Sequence, residues 1–312
     1  MAKSIREAYG NALVKYGKDD SRVVVLDADL AGSTKSGMFQ SVAPERFFNM
    51  GIAEQNMCGV AAGLATCEKI PFINTFGVFI STICLLCART LGSYGKLPLK
   101  FVGAYGGLSD AFDGPSHHSI EDIAVMRSLP NFKVFVASDE RLTDWLVKNA
   151  IASPSPMYMR MSRDAFPDLY AEDTVFEEGK GMIVREGSDA TIIACGLMVG
   201  NALQAAKLLE KEGIQTRVVD MFCIKPLDSE LVVACAQKTG AIVTAEEHNI
   251  VGGLGGAVSE ALCAAGQEVA QGFIGMRDTH AECGPYLSLQ KKYGLDAEAI
   301  AAKVKETIEK KK

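Results

Sequence analysis

The chain has one tryptophan, no low-complexity stretch and no surplus of basic residues. Its 38 acidic against 32 basic side chains leave a net charge of −6, which excludes a general affinity for nucleic acid or anionic membranes, since both need a basic footprint. Any phosphate site must therefore be local. Cysteine pairing is also missing: nine cysteines, at 58, 67, 84, 87, 195, 223, 235, 263 and 283, form an odd set without the spacing of a disulfide framework. A reducing compartment fits. The one Cys-x-x-Cys, Cys84 to Cys87, lies in an apolar run with no second pair or His-rich partner to complete a zinc site, so buried packing is expected. The N-terminal segment Met1-Ala2-Lys3-Ser4-Ile5-Arg6-Glu7 lacks the apolar core and cleavage site of a signal peptide, and a cytoplasmic protein follows. Residues 70–88 come nearest to a bilayer-crossing run, but Pro71, Asn74, Thr75, Ser81 and Thr82 interrupt it. A buried strand followed by a buried helix is expected there.

What is present is a globular composition, 48% hydrophobic and 22% charged, in 312 residues, enough for about two domains. Short β-branched runs alternate with amphipathic stretches of ten or more residues, the pattern of a parallel sheet covered by helices. In the first half, a helix from about Ser4 to Tyr16 precedes a fully buried strand at 22–27. Further strands are predicted near 70–74, 99–104, 133–137 and 157–160, and helices at 54–67, 79–94, 119–128 and 139–152. Between about 161 and 188 the pattern lapses into Arg163, Asp164, Pro167 and an acidic stretch from Glu172 to Glu178, read as a connection. The expected division is a first domain over 1–165, a linker over 166–188 and a second domain over 189–312. That second domain alternates strand 190–195, helix 199–212, strand 214–219, helix 228–238, strand 240–245, helix 254–265, strand 269–275 and a terminal helix 296–310. Its end, Lys310-Lys311-Lys312, suits the negative pole of a helix C-terminus. The fold class predicted is α/β, two domains, each a mainly parallel sheet flanked by helices.

Three segments carry chemistry. In Gly51-Ile52-Ala53-Glu54-Gln55-Asn56-Met57, a strand from Arg46 to Asn49 gives way to a small-residue helix, with Glu54 in its first turn. The helix dipole alone favours an acid there, by about 0.3–1 kcal/mol. In Asn74-Thr75-Phe76-Gly77-Val78-Phe79-Ile80, two aromatic rings stand three residues apart on one side of a turn. They form either a wall for a flat heterocycle or plain core. In Phe112-Asp113-Gly114-Pro115-Ser116-His117-His118-Ser119, a Gly-Pro turn presents two histidines before a helix. These rings are either free to titrate and shuttle protons or simply exposed at a helix start.

In this order and at these intervals the three segments resemble the pyrimidine-binding domain of transketolases. The run from Glu246 through Val251-Gly252-Gly253-Leu254-Gly255-Gly256, and Lys292-Tyr293-Gly294-Leu295-Asp296-Ala297-Glu298, resemble that family's C-terminal domain. The resemblance spans about Ser4 to Ile308. It implies a thiamine-diphosphate enzyme that passes a two-carbon glycolaldehyde unit from a ketose phosphate to an aldose phosphate. Thiamine's own aminopyrimidine removes the reacting proton once shifted to its imino tautomer, and that shift needs an acid on the ring nitrogen. Glu54 matches the glutamate that does this. Phe76 and Phe79 match the aromatic wall of the pyrimidine pocket, although Thr82 stands where a third ring often follows. Asp113 matches a residue that hydrogen-bonds a substrate hydroxyl, and His117 one beside the reacting carbonyl; His118 replaces what is commonly glutamine. Arg6, Ser33 and Arg163 match positions that contact the acceptor's phosphate, for which a guanidinium fork is the physical choice. Asp29 resembles an acid close to the cofactor. Transketolases carry a substrate-binding histidine before the Asp-Gly-Pro turn, whereas this chain has Ala104-Tyr105-Gly106-Gly107 there, so an altered acceptor pocket is expected.

The family holds the cofactor's diphosphate through a metal, Mg2+ or Ca2+, on a Gly-Asp-Gly segment, and no Gly-Asp-Gly occurs in these 312 residues. The resemblance therefore implies an N-terminal partner subunit carrying that site, in an assembly of two such chains and two partners with each cofactor at a subunit boundary. The glycine cluster 252–256 fails the dinucleotide spacing and is read as close backbone approach. Alternatives are the beta subunit of a 2-oxo acid dehydrogenase, a deoxyxylulose phosphate synthase-like enzyme, and a non-catalytic regulatory subunit. The sugars, ordinary pentose phosphates or a less common ketose, stay open.

Overall fold

A computed structural model of the chain describes residues 3–166 and 168–311; Met1, Ala2, Pro167 and Lys312 lie outside the described residues. Val23-Val24-Val25-Leu26 are buried without exception, as β-branched and aliphatic runs are when both faces of a parallel sheet are covered. That strand, Val23–Asp27, sits in a seven-stranded sheet. Its order is Cys223–Lys225, Lys133–Val136, Met157–Arg160, Lys100–Ala104, Ile70–Phe76, Val23–Asp27, Phe47–Asn49. Every pairing in it is parallel except at the Cys223–Lys225 edge. The second sheet has the order Ala270–Met276, Ala241–Asn249, Ala190–Ala194, Thr216–Asp220, Met182–Arg185, again parallel apart from one edge, Met182–Arg185. The two-domain α/β architecture with mainly parallel sheets is thus as read from the sequence.

Two sheet edges are antiparallel. Cys223–Lys225 follows a strand of the second sheet yet pairs with Lys133–Val136 of the first, and Met182–Arg185 comes from within the segment read as a connection. That segment is anchored: Phe176 is buried and packs against Trp145 at 5.8 Å and Phe222 at 5.9 Å, and Tyr170 against Phe176 at 4.9 Å. Two or three aromatics in irregular backbone give no period to detect.

A single helix over 79–94 does not form. The chain makes a short helix Gly77–Ser81, a turn Leu85–Cys87 and a π-helical stretch Ala88–Tyr94. Hydroxyls explain the break: Ser81 Oγ and Thr82 Oγ1 both donate to the Val78 carbonyl, at 3.2 and 2.6 Å, and Cys84 N donates back to Phe79 O at 3.0 Å. Cys84 is buried as expected, but Cys87 is only partly so. All seven residues of Ile70–Phe76 are buried, and among the described residues no helix is long and apolar enough to cross a membrane.

Candidate functional site

The chemistry-bearing residues gather at the carboxyl ends of the parallel strands, where open α/β sheets bind ligands. Phe47–Asn49 leads through Gly51, at φ 70°, into the helix Glu54–Thr66. Glu54 is its first residue and only 6% exposed. An acid present merely for the helix dipole would stay in water; this carboxylate has been drawn inside, where Thr75 Oγ1 donates to its Oε1 at 3.4 Å. A buried carboxylate with one long hydrogen bond has acceptor capacity left.

Thr75 is followed by Phe76, which begins the aromatic cluster. The Phe76 and Phe79 rings lie 5.9 Å apart at 21°, near parallel, and His117 meets both edge-on at 6.1 and 5.5 Å. Tyr105 packs on Phe76 at 4.4 Å. Val78, Ala104, Tyr105 and Phe76 form an apolar group with Leu30 and Phe79 against it. Thr82 is exposed, so the place where a third ring often stands carries none.

Beyond Tyr105 the character changes to cationic. Arg6 lies 4.7 Å from the Tyr105 ring centre and donates from Nη1 to its hydroxyl at 2.9 Å; Arg163 lies 5.3 Å from the same ring. Each such contact contributes about 0.5–1 kcal/mol where partly exposed. Arg6 also donates to the carbonyls of Ser33 and Arg163. Ser33 thus enters through its backbone. Arg163 Nη1 is 3.6 Å from Asp110 Oδ1, and the Asp110 side chain is wholly buried. Burial, then the nearby Asp113, lifts the Asp110 carboxyl to about 6. Asp110 gives no signal in the sequence, being one acid in a loop of mixed character.

His117 is half-buried, with Ser116 Oγ 3.0 Å from Nδ1, whereas His118 is buried and burial pushes its pKa down. Both readings of this turn, titrating rings or merely exposed ones, leave the two histidines in solvent, and His118 departs from both because the turn rolls its ring inward. Asp113 is exposed, its amide on the Asp110 carbonyl at 3.2 Å. Asp29 is exposed at φ 65°, and Asn49 Nδ2 donates to its Oδ1 at 2.9 Å; its neighbour Leu30 packs against the aromatic cluster.

The glycine cluster holds an anion of the protein's own. Glu246 Oε2 and Oε1 accept the Leu254 and Gly255 amides at 2.7 and 2.8 Å, capping the helix Leu254–Ala264. A Cβ on Gly253 would meet Glu246 Oε2 at 2.0 Å, so close approach accounts for this glycine. Among the described residues no group of three or more His, Cys, Asp or Glu is placed to hold a metal ion.

Comparison with known proteins agrees with this geometry. Residues 1–168 match the transketolase pyrimidine-binding domain and residues 179–300 the transketolase C-terminal domain. The chain is 42% identical over 310 residues to a putative transketolase C-terminal section from Methanocaldococcus jannaschii, covering 99% of this chain and 97% of that one. It is 37% identical to the 6-deoxy-6-sulfo-D-fructose transketolase subunit SqwH of Clostridium sp. (strain MSTE9), covering 98% and 95%. A solved structure described as a split gene transketolase, inactive beta4 tetramer, superposes with TM-score 0.90 at 46% identity over all of both chains. The chain belongs to the transketolase family, corresponding to its pyrimidine-binding and C-terminal domains as the split-gene members do.

Proposed function

We propose that this chain, together with an N-terminal partner subunit, transfers a two-carbon glycolaldehyde unit from a ketose phosphate to an aldose phosphate with thiamine diphosphate. The observation that carries the reading is the buried, sparsely bonded carboxylate of Glu54 beside Thr75, whose next residue starts the Phe76–Phe79 pair. These residues fit the pyrimidine half of the cofactor, since a carboxylate with spare acceptor capacity and a near-parallel pair of rings suit an aminopyrimidine. When bound, the cofactor supplies a nucleophilic carbon and an electron sink for cleavage of the ketose C2–C3 bond.

The remaining roles belong to this chain. Glu54 shares a proton with the pyrimidine ring nitrogen, and Phe76 and Phe79 exclude water from the ring's flank. His117, edge-on to both rings, moves a proton at the substrate's carbonyl oxygen. Asp113 holds a substrate hydroxyl, and Asp29 lies on the loop that reaches the cluster through Leu30. Arg6 and Arg163, with the Ser33 carbonyl fixing Arg6, take the terminal phosphate. The lack of a Gly-Asp-Gly segment supports placing the diphosphate and its Mg2+ or Ca2+ on the partner. The relative described as an inactive beta4 tetramer supports an active assembly that needs a second kind of chain; we propose α2β2 for it. The SqwH relative is named for a sulfo sugar, whose terminal group is also a tetrahedral oxyanion, so both sugar classes belong in the substrate screen.

The test is reconstitution. Purified alone with thiamine diphosphate and magnesium, the chain should show no transfer; mixed with its partner it should lengthen an aldose phosphate by two carbons. Full activity of the chain alone would refute the reading.

A further inference from the structure

We propose that Tyr105 is a positioning residue that fixes Arg6 and Arg163 as a two-guanidinium fork for a tetrahedral oxyanion, the terminal group of the sugar. This rests on the proposed transfer reaction for its biological meaning but not for its geometry. Tyr105 is a bulky residue at φ 59°, in the left-handed region where side chains other than glycine are uncommon. A residue held there is a pointer to function when its surroundings explain what the conformation achieves. Here they do. The left-handed turn at the end of Lys100–Ala104 puts the ring against Phe76 and under both guanidiniums, with its hydroxyl on Arg6 Nη1 at 2.9 Å.

Two cations on one ring repel each other, and the arrangement is stable only if anions answer them. Asp110 answers one side: buried, without a hydrogen bond of normal geometry to either oxygen, it stands 3.6 Å from Arg163 Nη1. Asp164, half-buried, lies within the field of both arginines. Among the described residues, Nη2 of Arg6 and Nη2 of Arg163 have no protein partner, and Arg163 remains 43% exposed. The free donors of the two guanidiniums are what a phosphate or sulfonate requires. Tyr105 therefore does not bind the anion; it spends its hydroxyl on Arg6 and its faces on both arginines, so that recognition passes to them.

The experiment has two arms. In the first, inorganic phosphate, then sulfate, is titrated into the full chain alone and followed by calorimetry. Tyr105→Leu should weaken binding by about tenfold or more, the size of effect expected for a lost charged hydrogen bond. Tyr105→Phe, which keeps the ring and loses the hydroxyl, should fall between. Equal binding by wild type and Tyr105→Leu, or no binding by wild type, overturns the proposal whatever the reaction is. In the second arm the reconstituted complex is assayed with a phosphorylated aldose and its unphosphorylated counterpart. Tyr105→Phe should raise KM for the phosphorylated acceptor several-fold with kcat nearly unchanged, and leave the unphosphorylated one alone. A fall in kcat for both acceptors would instead make Tyr105 a wall of the cofactor pocket and overturn the assignment. If phosphate binding responds as stated while no variant, wild type included, transfers carbon, the fork stands and the transketolase reading fails.

Discussion

Arg160 Nε lies 2.8 Å from Asp122 Oδ2, with the two side chains 6% and 0% exposed. The same guanidinium donates from Nη2 to the carbonyls of Ser119 at 2.9 Å and Glu247 at 2.8 Å. One buried cation therefore joins the end of Met157–Arg160, the segment just after His118, and the long strand Ala241–Asn249 of the other sheet. Tyr158 adds a hydroxyl to Asp122 Oδ2 at 2.6 Å, and Gly106 is required because a Cβ there would meet Arg160 Cγ at 2.8 Å. Arg160→Met would leave a buried carboxylate without its charge partner, and should cost about 3–5 kcal/mol in urea unfolding. The double variant Asp122→Asn with Arg160→Met should recover part of that loss. Strict additivity of the two would show that the pair is not coupled.

Glu54→Gln keeps the side chain's size and removes its ability to take and give a proton. In the reconstituted complex turnover should drop by about 10²–10⁴, while the complex elutes at the same size and sugar-phosphate KM changes little. Unimpaired turnover would take Glu54 out of the mechanism.

How much of this could be read beforehand divides along a physical line. Strands buried on both faces, such as Val23–Asp27 and Ala190–Ala194, announce themselves as apolar β-branched runs, and the alternation with helices followed from period alone. The gathering of Arg6, Ser33 and Arg163 rested on resemblance, because a lone arginine in sequence looks solvated; the fold brings together residues up to 157 positions apart. Asp110 and the inward turn of His118 were illegible, since burial of a single polar side chain in a loop depends on packing far away in sequence. The helix read over 79–94 failed for a local reason, the two hydroxyls on the Val78 carbonyl, which periodicity does not weigh.

Gly253 and Gly59 make a matched pair of controls for close approach. At Gly253 an added methyl would strike Glu246 Oε2 at 2.0 Å and His248 Nδ1 at 2.7 Å, while at Gly59, inside the helix Glu54–Thr66, it would meet nothing within 4 Å. Gly253→Ala should destabilise the isolated chain by about 1–3 kcal/mol through overpacking. Gly59→Ala should stabilise it by about 0.5–1 kcal/mol through helix propensity. Thermal midpoints of the two variants moving in the same direction would contradict the packing described around Glu246.

Asp220 is fully buried at the end of Thr216–Asp220, accepting the hydroxyls of Ser138 and, at 2.6 Å, Tyr170; desolvation raises its carboxyl to about 7. Because the folded state holds the proton more tightly than the unfolded one, the stability this group contributes is complete below its ordinary value of 3.8 and is lost as pH rises to about 7. Glu247, also lifted to about 7 by burial, acts in the same direction over the same range, whereas Lys100, lowered from 10.5 to about 7 by burial, acts in the opposite one above about pH 7. The raw pH profile therefore mixes signs, and the difference between Asp220→Asn and wild type isolates one group. Asparagine still accepts both hydroxyls but never ionises, so the variant's advantage should grow by up to about 1.4 kcal/mol per pH unit between pH 4 and 7 and level off above. Urea midpoints measured at intervals across that range check it, and a difference that stays flat would mean that Asp220 does not change charge on unfolding.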